Sequence, residues 1–146
     1  MKKIALAMIT LLLICGSLPA SAMLKEPLTA EIYDPYKQQV VKHIELTPSL
    51  LSEAKFILTH LEFTSRLNLN FNSGKLIKFP VQTHVQNQWF NGDIREFILI
   101  VEQTDTYVLL FDKQDQARLF ATSYDVAPLL KRMDSQRDAR FPQDKP

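Results

Sequence analysis

The chain is short of the residues on which several kinds of chemistry depend. Its 146 residues include one cysteine, three glycines and one tryptophan. A single cysteine excludes an intramolecular disulfide framework and any cysteine-based zinc or iron–sulfur site. Only Gly74 and Gly92 lie beyond the first 22 residues, so there is no glycine-rich loop to cradle a phosphate. An excess of one charge is missing too, with 17 basic and 16 acidic residues. That balance gives neither the basic footprint of a nucleic-acid binder nor an acidic solvating tail. Internal repeats and interdomain linkers are also absent, and the length is that of one domain.

At the N-terminus the residues spell out an address. Met1-Lys2-Lys3 is cationic, Ile4–Cys15 carries no charge, Pro19 breaks the run, and Ala20-Ser21-Ala22 supplies small residues. This is the layout of a bacterial secretory signal peptide over residues 1–22, cleaved after Ala22. The run falls short of the about 18–20 apolar residues that span a bilayer, and no later segment is longer, so the chain is expected not to span a membrane. The competing reading is a lipoprotein signal ending at Cys15. Lipid-modifying processing prefers a small residue before the cysteine, and Ile14 stands there, which favours ordinary cleavage. The exported form is then periplasmic or secreted, begins at Met23, has no cysteine, and depends on its core alone.

Residues 23–39 show no clear period and read as an extended arm or loop, held by Tyr33 and Tyr36. Residues 40–46 suit either a helical face begun by Asp34-Pro35 or a strand, and lean to strand. Thr47-Pro48 then opens a helix: threonine caps the free N–H groups, and proline at the first helical position forfeits no hydrogen bond. Leu50, Leu51, Ala54, Ile57, Leu58 and Leu61 form its apolar stripe, which predicts a helix over residues 48–64. From Arg66 the period changes to two. Leu67, Leu69 and Phe71 alternate with Asn68, Asn70 and Asn72, and Ser73-Gly74 marks a turn. Further strands are expected at 76–81, where Pro80 demands an edge or a bulge, and at 83–90, 94–102, 107–111 and 117–122. The run Phe97–Val101 is apolar at every position, as in a strand covered on both faces. Asp125 caps a short helix near 126–133, and residues 134–146 read as a disordered tail. The expected fold is α+β, with an antiparallel meander sheet of about five to six strands. One main helix packs on one face and a short C-terminal helix follows, in a single domain over residues 23–133.

No catalytic or metal-binding constellation emerges. His43, His60 and His84 lie on different elements. His60 and Glu62, two apart, diverge on a helix, while His43 and Glu45 would share a strand face without a third ligand. There is no G-x-S-x-G and no S-x-x-K, and short turns offer little loop material for an enzyme cleft. No cofactor is called for. The most unusual stretch runs from Gln82 to Asp93. Asn91-Gly92 is a strong hairpin signal, because a type I′ turn needs positive φ at both central residues. With that turn, Phe90 opposes Asp93, Trp89 opposes Ile94 and Gln88 opposes Arg95, and Trp89 and Phe90 point to opposite faces. One ring near the tip is then exposed beside amides and an acid, the kind of surface that grips a macromolecule. The candidate binding residues are Gln88, Trp89, Phe90, Asn91 and Asp93. In the plainer reading Trp89 closes the end of the core. The Asn68, Asn70 and Asn72 row likewise reads as a solvated outer face, and the basic residues near the C-terminus, interspersed with acids, as a solvated tail.

Three functions follow, in order. The first is a small exported, non-enzymatic protein that binds a protein or other envelope macromolecule, in an inhibitor, immunity or accessory role. The second is a carrier of a small ligand or lipid, in a cavity between helix and sheet. The third is a hydrolase whose active site has no sequence motif.

Overall fold

The computed structural model describes residues 26–65 and 74–140. The expected signal peptide, the Asn68, Asn70 and Asn72 row with its strand, and the last six residues of the expected tail lie outside them. Within the described residues the fold is α+β, a mostly antiparallel sheet with two helices.

The strands are β1 (Thr29–Asp34), β2 (Gln39–Glu45), β3 (Leu61–Glu62), β4 (Lys75–Phe79), β5 (Thr83–Gln86), β6 (Asn91–Val101), β7 (Thr106–Asp112) and β8 (Ala117–Thr122). The helices are α1 (Pro48–Ile57), continued by a 3₁₀ turn at Leu58–His60, and α2 (Ala127–Ser135). Neighbouring strands run in the order β2-β1-β4-β6-β7-β8-β3, with β5 also paired to β6. The eight strands among the described residues exceed the expected five to six for two reasons. The arm expected to be irregular pairs as β1, on both β2 and β4. Residues 61–62 leave the predicted helix and pair with β8. The strands expected at 76–81 and 83–90 are present as β4 and β5, on either side of Pro80, which has no N–H to donate.

The break at Pro80 is a bulge. β4 pairs with the second half of β6, from Lys75 opposite Val101 to Phe79 opposite Phe97. β5 pairs with its first half, from Thr83 opposite Ile94 to Gln86 opposite Asn91. Pro80, Val81 and Gln82 thus face only Arg95 and Glu96, and the Val81 N–H turns back to the Phe79 carbonyl at 2.9 Å. The β1–β2 reversal follows from Asp34, whose Oδ1 accepts from the N–H groups of Tyr36 (2.9 Å) and Lys37 (3.1 Å). This Asx arrangement makes Asp34-Pro35 a turn rather than the start of a helix.

Thr47 caps α1, accepting from the Leu50 N–H at 3.3 Å. Leu50, Ala54 and Ile57 of its stripe are buried, each of the larger two worth roughly 1.5–3 kcal/mol when fully removed from water. α1 ends sooner than its stripe predicts. The Thr59 hydroxyl donates to the Phe56 carbonyl at 2.7 Å, and His60 Nδ1 lies 3.1 Å from the same oxygen. Leu129 and Met133 of α2 join α1 and the sheet in one core. At its centre Phe79 and Phe97 stack at 4.9 Å. Leu99 and Ile100 point to opposite faces of β6 and both are buried.

Residues 134–140, expected as part of the disordered tail, lie against β2. Lys42 Nζ donates to the carbonyls of Met133 and Asp134 at 3.0 Å. The Ala139 N–H donates to the His43 carbonyl at 2.8 Å, and Arg140 Nη2 to the Val41 carbonyl at 2.9 Å. Composition suggested disorder here because the segment has little to bury; backbone hydrogen bonds to a strand edge hold it instead.

Candidate functional site

The β5–β6 hairpin turns at Asn87–Phe90, not at Asn91-Gly92. Asn87 organises the reversal: its Oδ1 accepts from the N–H groups of Trp89 and Phe90, both at 2.8 Å, and its own N–H donates to the Phe90 carbonyl at 2.8 Å. One side chain thereby satisfies two turn donors, so the Asx turn prevails over the type I′ alternative. Asn91 and Gly92 lie inside β6, opposite Gln86 and Val85. Opposite Asp93 is His84 rather than Phe90, and opposite Ile94 is Thr83 rather than Trp89. A Cβ at Gly92 would sit 3.3 Å from Phe90 Cζ, a tight contact that a shift of the ring by a few tenths of an ångström relieves.

The five predicted residues fall into separate environments. Gln88 and Asn91 are exposed. Phe90 is half-buried against the core, edge-on to Phe120 at 6.1 Å, with the Arg118 guanidinium 6.0 Å from its ring centre. Trp89 is 47% exposed. Asp93 belongs to a charged cluster, with Oδ1 2.8 Å from His84 Nδ1 and Oδ2 2.7 Å from Lys113 Nζ. The hydrogen bonds from Lys113 and His84 hold its carboxyl below the ordinary carboxylate range.

The residue that joins Trp89 is Phe63, 66% exposed, with ring centres 5.7 Å apart and planes at 40°. Reading residues 48–64 as helix hid this pair, because Phe63 then belongs to the helix end. The Asn87 amide ties the two elements together, its Nδ2 donating to the Leu58 carbonyl at 3.4 Å. On the other side of the 3₁₀ turn, Phe56 is 53% exposed and meets His60 (4.6 Å) and Tyr124 (5.8 Å). The signal for Phe56 is its position: it is an aromatic that falls off the apolar stripe of α1. Tyr124 in turn donates to Glu53 Oε1 at 3.0 Å. Glu53 pairs with Arg132, whose Nη1 donates to Ser49 Oγ at 3.1 Å. These bonds lock α2 to α1 beneath the exposed rings.

The histidines stand apart. His43 Nε2 is 3.8 Å from Glu31 across the β1–β2 pair, and its buried Nδ1 has no hydrogen-bond partner. His60 is engaged by Thr59 and the Phe56 carbonyl. Among the described residues no three His, Cys, Asp or Glu side chains are grouped so as to hold a metal ion. No helix among them is long and apolar enough to cross a membrane. The chain matches no protein-family model, no curated protein and no solved structure.

Proposed function

We propose that this is an exported, non-enzymatic protein that works by binding another protein through its aromatic end. The observation that carries the reading is the Phe63–Trp89 pair: two large rings in mutual contact, each about half exposed or more, Trp89 on a turn fixed by Asn87 and Phe63 directly after β3. Large rings on a rigid support give contact area at little entropic cost, and such residues dominate the energetics of interfaces. Phe56 is a further exposed ring, on the other side of the 3₁₀ turn beside His60 and Tyr124. Export rests on the cationic start, the apolar run and Ala20-Ser21-Ala22, and a periplasmic fraction should yield an intact mass that begins at Met23. A diacylglyceryl-modified mass beginning at Cys15 would refute that cleavage.

The test of binding is the double variant Trp89→Ala, Phe63→Ala. Because both rings are largely exposed, each truncation should cost under about 1 kcal/mol of stability. It should also abolish capture of the proteins that the unaltered chain retains from an envelope extract. Undiminished capture by a folded double variant would refute the reading. The carrier reading has one observation in its favour, a groove of about 440 Å³ at the margin between α1 and the sheet.

A further inference from the structure

We propose that the free edge of β5 is a peptide-binding element. An extended segment of a partner protein adds to Thr83–Gln86 as a further strand, seats an apolar side chain between Leu28, Leu51 and Val81, and presents a carboxylate to Lys55. This deepens the protein-binding reading above, on which it rests, by naming what the partner offers.

The edge is a product of the bulge. β1 pairs with β4 only from Glu31 to Tyr33, opposite Lys78 to Leu76. Before β1 the chain bends toward β2, the Leu46 N–H donating to the Leu28 carbonyl at 2.8 Å. Among the described residues β5 therefore has a strand on one side alone, β6. Successive residues of a strand turn their backbone groups alternately to its two sides. The Asn87 N–H donates across the hairpin to Phe90, so His84 and Gln86 turn theirs away from β6. Among the described residues the hydrogen bond on that side is a long one, 3.5 Å from the Thr83 hydroxyl to the His84 carbonyl.

The two ends of the strand order are protected, although Ala117–Phe120 of β8 reach past β3 and, like β5, have a described strand on one side alone. Residues 138–140 cover β2, and β3 is only two residues long. Covering and shortening are the usual ways in which proteins protect strand edges from pairing. β5 is longer than β3, the 3₁₀ turn at Leu58–His60 reaches it with the Asn87 amide bonded to Leu58 at its Gln86 end, and no described backbone group bonds to its outward N–H groups. A peptide strand is what such an edge accepts.

Beside this edge lies the groove of about 440 Å³, bounded by Leu28, Leu51, Lys55, Pro80, Val81 and Gln82. Its walls are mostly apolar and its volume is ample for an aliphatic side chain. Its one charge is Lys55, which is exposed and forms no ion pair or hydrogen bond among the described residues. An unpaired cation at the rim of an apolar groove selects a segment that combines an apolar residue with an acid. A neutral lipid chain would use the groove but not the edge.

The probe is a random twelve-residue peptide library displayed on phage, selected against the purified protein. Enriched peptides are then synthesised and titrated by fluorescence polarisation. The selected sequences should carry an acid near an apolar residue. Methylating alternate backbone nitrogens of the peptide should weaken binding about tenfold, the loss of an interstrand hydrogen bond, and methylating the intervening ones should not. Lys55→Glu should weaken binding, and replacing the peptide's acid with lysine should restore it. Amide exchange at His84 and Gln86 should slow when peptide is added. Indifference to methylation together with loss on Trp89→Ala would overturn strand addition and leave the aromatic reading standing. Strand addition with intact partner capture by the Trp89→Ala, Phe63→Ala variant would do the reverse. A selection without enrichment, or slow exchange at His84 and Gln86 before any peptide is added, overturns the proposal.

Discussion

The side chain of Asn87 sets the position of the hairpin turn, and replacing it is the most direct challenge to that account. Asn87→Ala removes the acceptor of the Trp89 and Phe90 N–H groups, two bonds of 2.8 Å. It also removes the longer donation to the Leu58 carbonyl. At about 1 kcal/mol net for each neutral hydrogen bond, the two short bonds are worth about 2 kcal/mol. In a domain of this size that loss lowers Tm by roughly 6–10 °C. Asn87→Asp keeps an oxygen acceptor for both N–H groups, loses only the donor, and should recover most of the difference. Asn91→Ala provides the contrast. Asn91 is an exposed residue within β6, where the change should stay within about 0.5 kcal/mol. A type I′ turn would hold Asn91 at positive φ, and alanine there would cost roughly 1–2 kcal/mol. Thermal unfolding followed by circular dichroism on the three variants decides the matter. If Asn91→Ala costs as much as Asn87→Ala, or if aspartate at 87 is no better than alanine, the assignment of the turn is wrong.

Gly74→Ala should be among the most damaging single changes. Gly74 has φ of +100° and its added Cβ would lie 2.1 Å from the Val101 carbonyl oxygen, so urea unfolding should show a loss of several kcal/mol, more than the about 1 kcal/mol of an ordinary glycine replacement. Acid should loosen the segment on β2. Asp138 is held far below the ordinary carboxylate range, first by the Arg140 side chain and then by the backbone N–H groups of Arg140 and His43. A carboxyl depressed on folding contributes stability above its unfolded pKa of about 3.9 and loses it as pH falls below that value. The Tm advantage of the unaltered protein over Asp138→Asn should hold above about pH 5 and shrink toward pH 2; an advantage unchanged in acid would refute the clip.

Much of the sheet was legible because its signals are local. The two-residue period and the polar turns located β7, β8 and most of β6, and Pro80 announced its own bulge. The Lys113–Gln116 turn reads correctly for the same reason: Asp112 Oδ1 accepts from the N–H groups of Gln114 and Gln116. β1 was not legible because Pro27, Pro35 and the polar residues around them show no two-residue period, although β2 pairs with it across a short turn. The covering of β2 was not legible because its hydrogen bonds join residues 41–43 to residues 133–140, far apart in the chain. The hairpin was misplaced by a contest between two local signals. Asn-Gly is the stronger statistical cue, but Asn87 can satisfy two N–H groups at once. At the site, the reason for weighing Trp89 lay in the sequence, whereas its neighbour Phe63 was concealed by the predicted length of the helix.

That early end of α1 is what makes an aromatic end of the sheet. The apolar stripe runs on through Leu58 and Leu61, and a helix over residues 48–64 would have continued along it. Thr59 and His60 instead both address the Phe56 carbonyl, the acceptor that a continuing helix would reserve for the N–H of His60. The helix tightens into a 3₁₀ turn, and Leu61 and Glu62 are released to pair with Thr122 and Ala121 of β8. Leu61 still reaches the core, now as a strand residue, so the stripe keeps its burial while the backbone changes period. In this arrangement Phe63 follows a strand and meets Trp89, while Phe56 stays on the last turn of α1 beside His60 and Tyr124. The Leu58 carbonyl within the 3₁₀ turn accepts the Asn87 amide, which links helix end and hairpin turn by a direct hydrogen bond. A local competition for one carbonyl thus decides which rings share a surface.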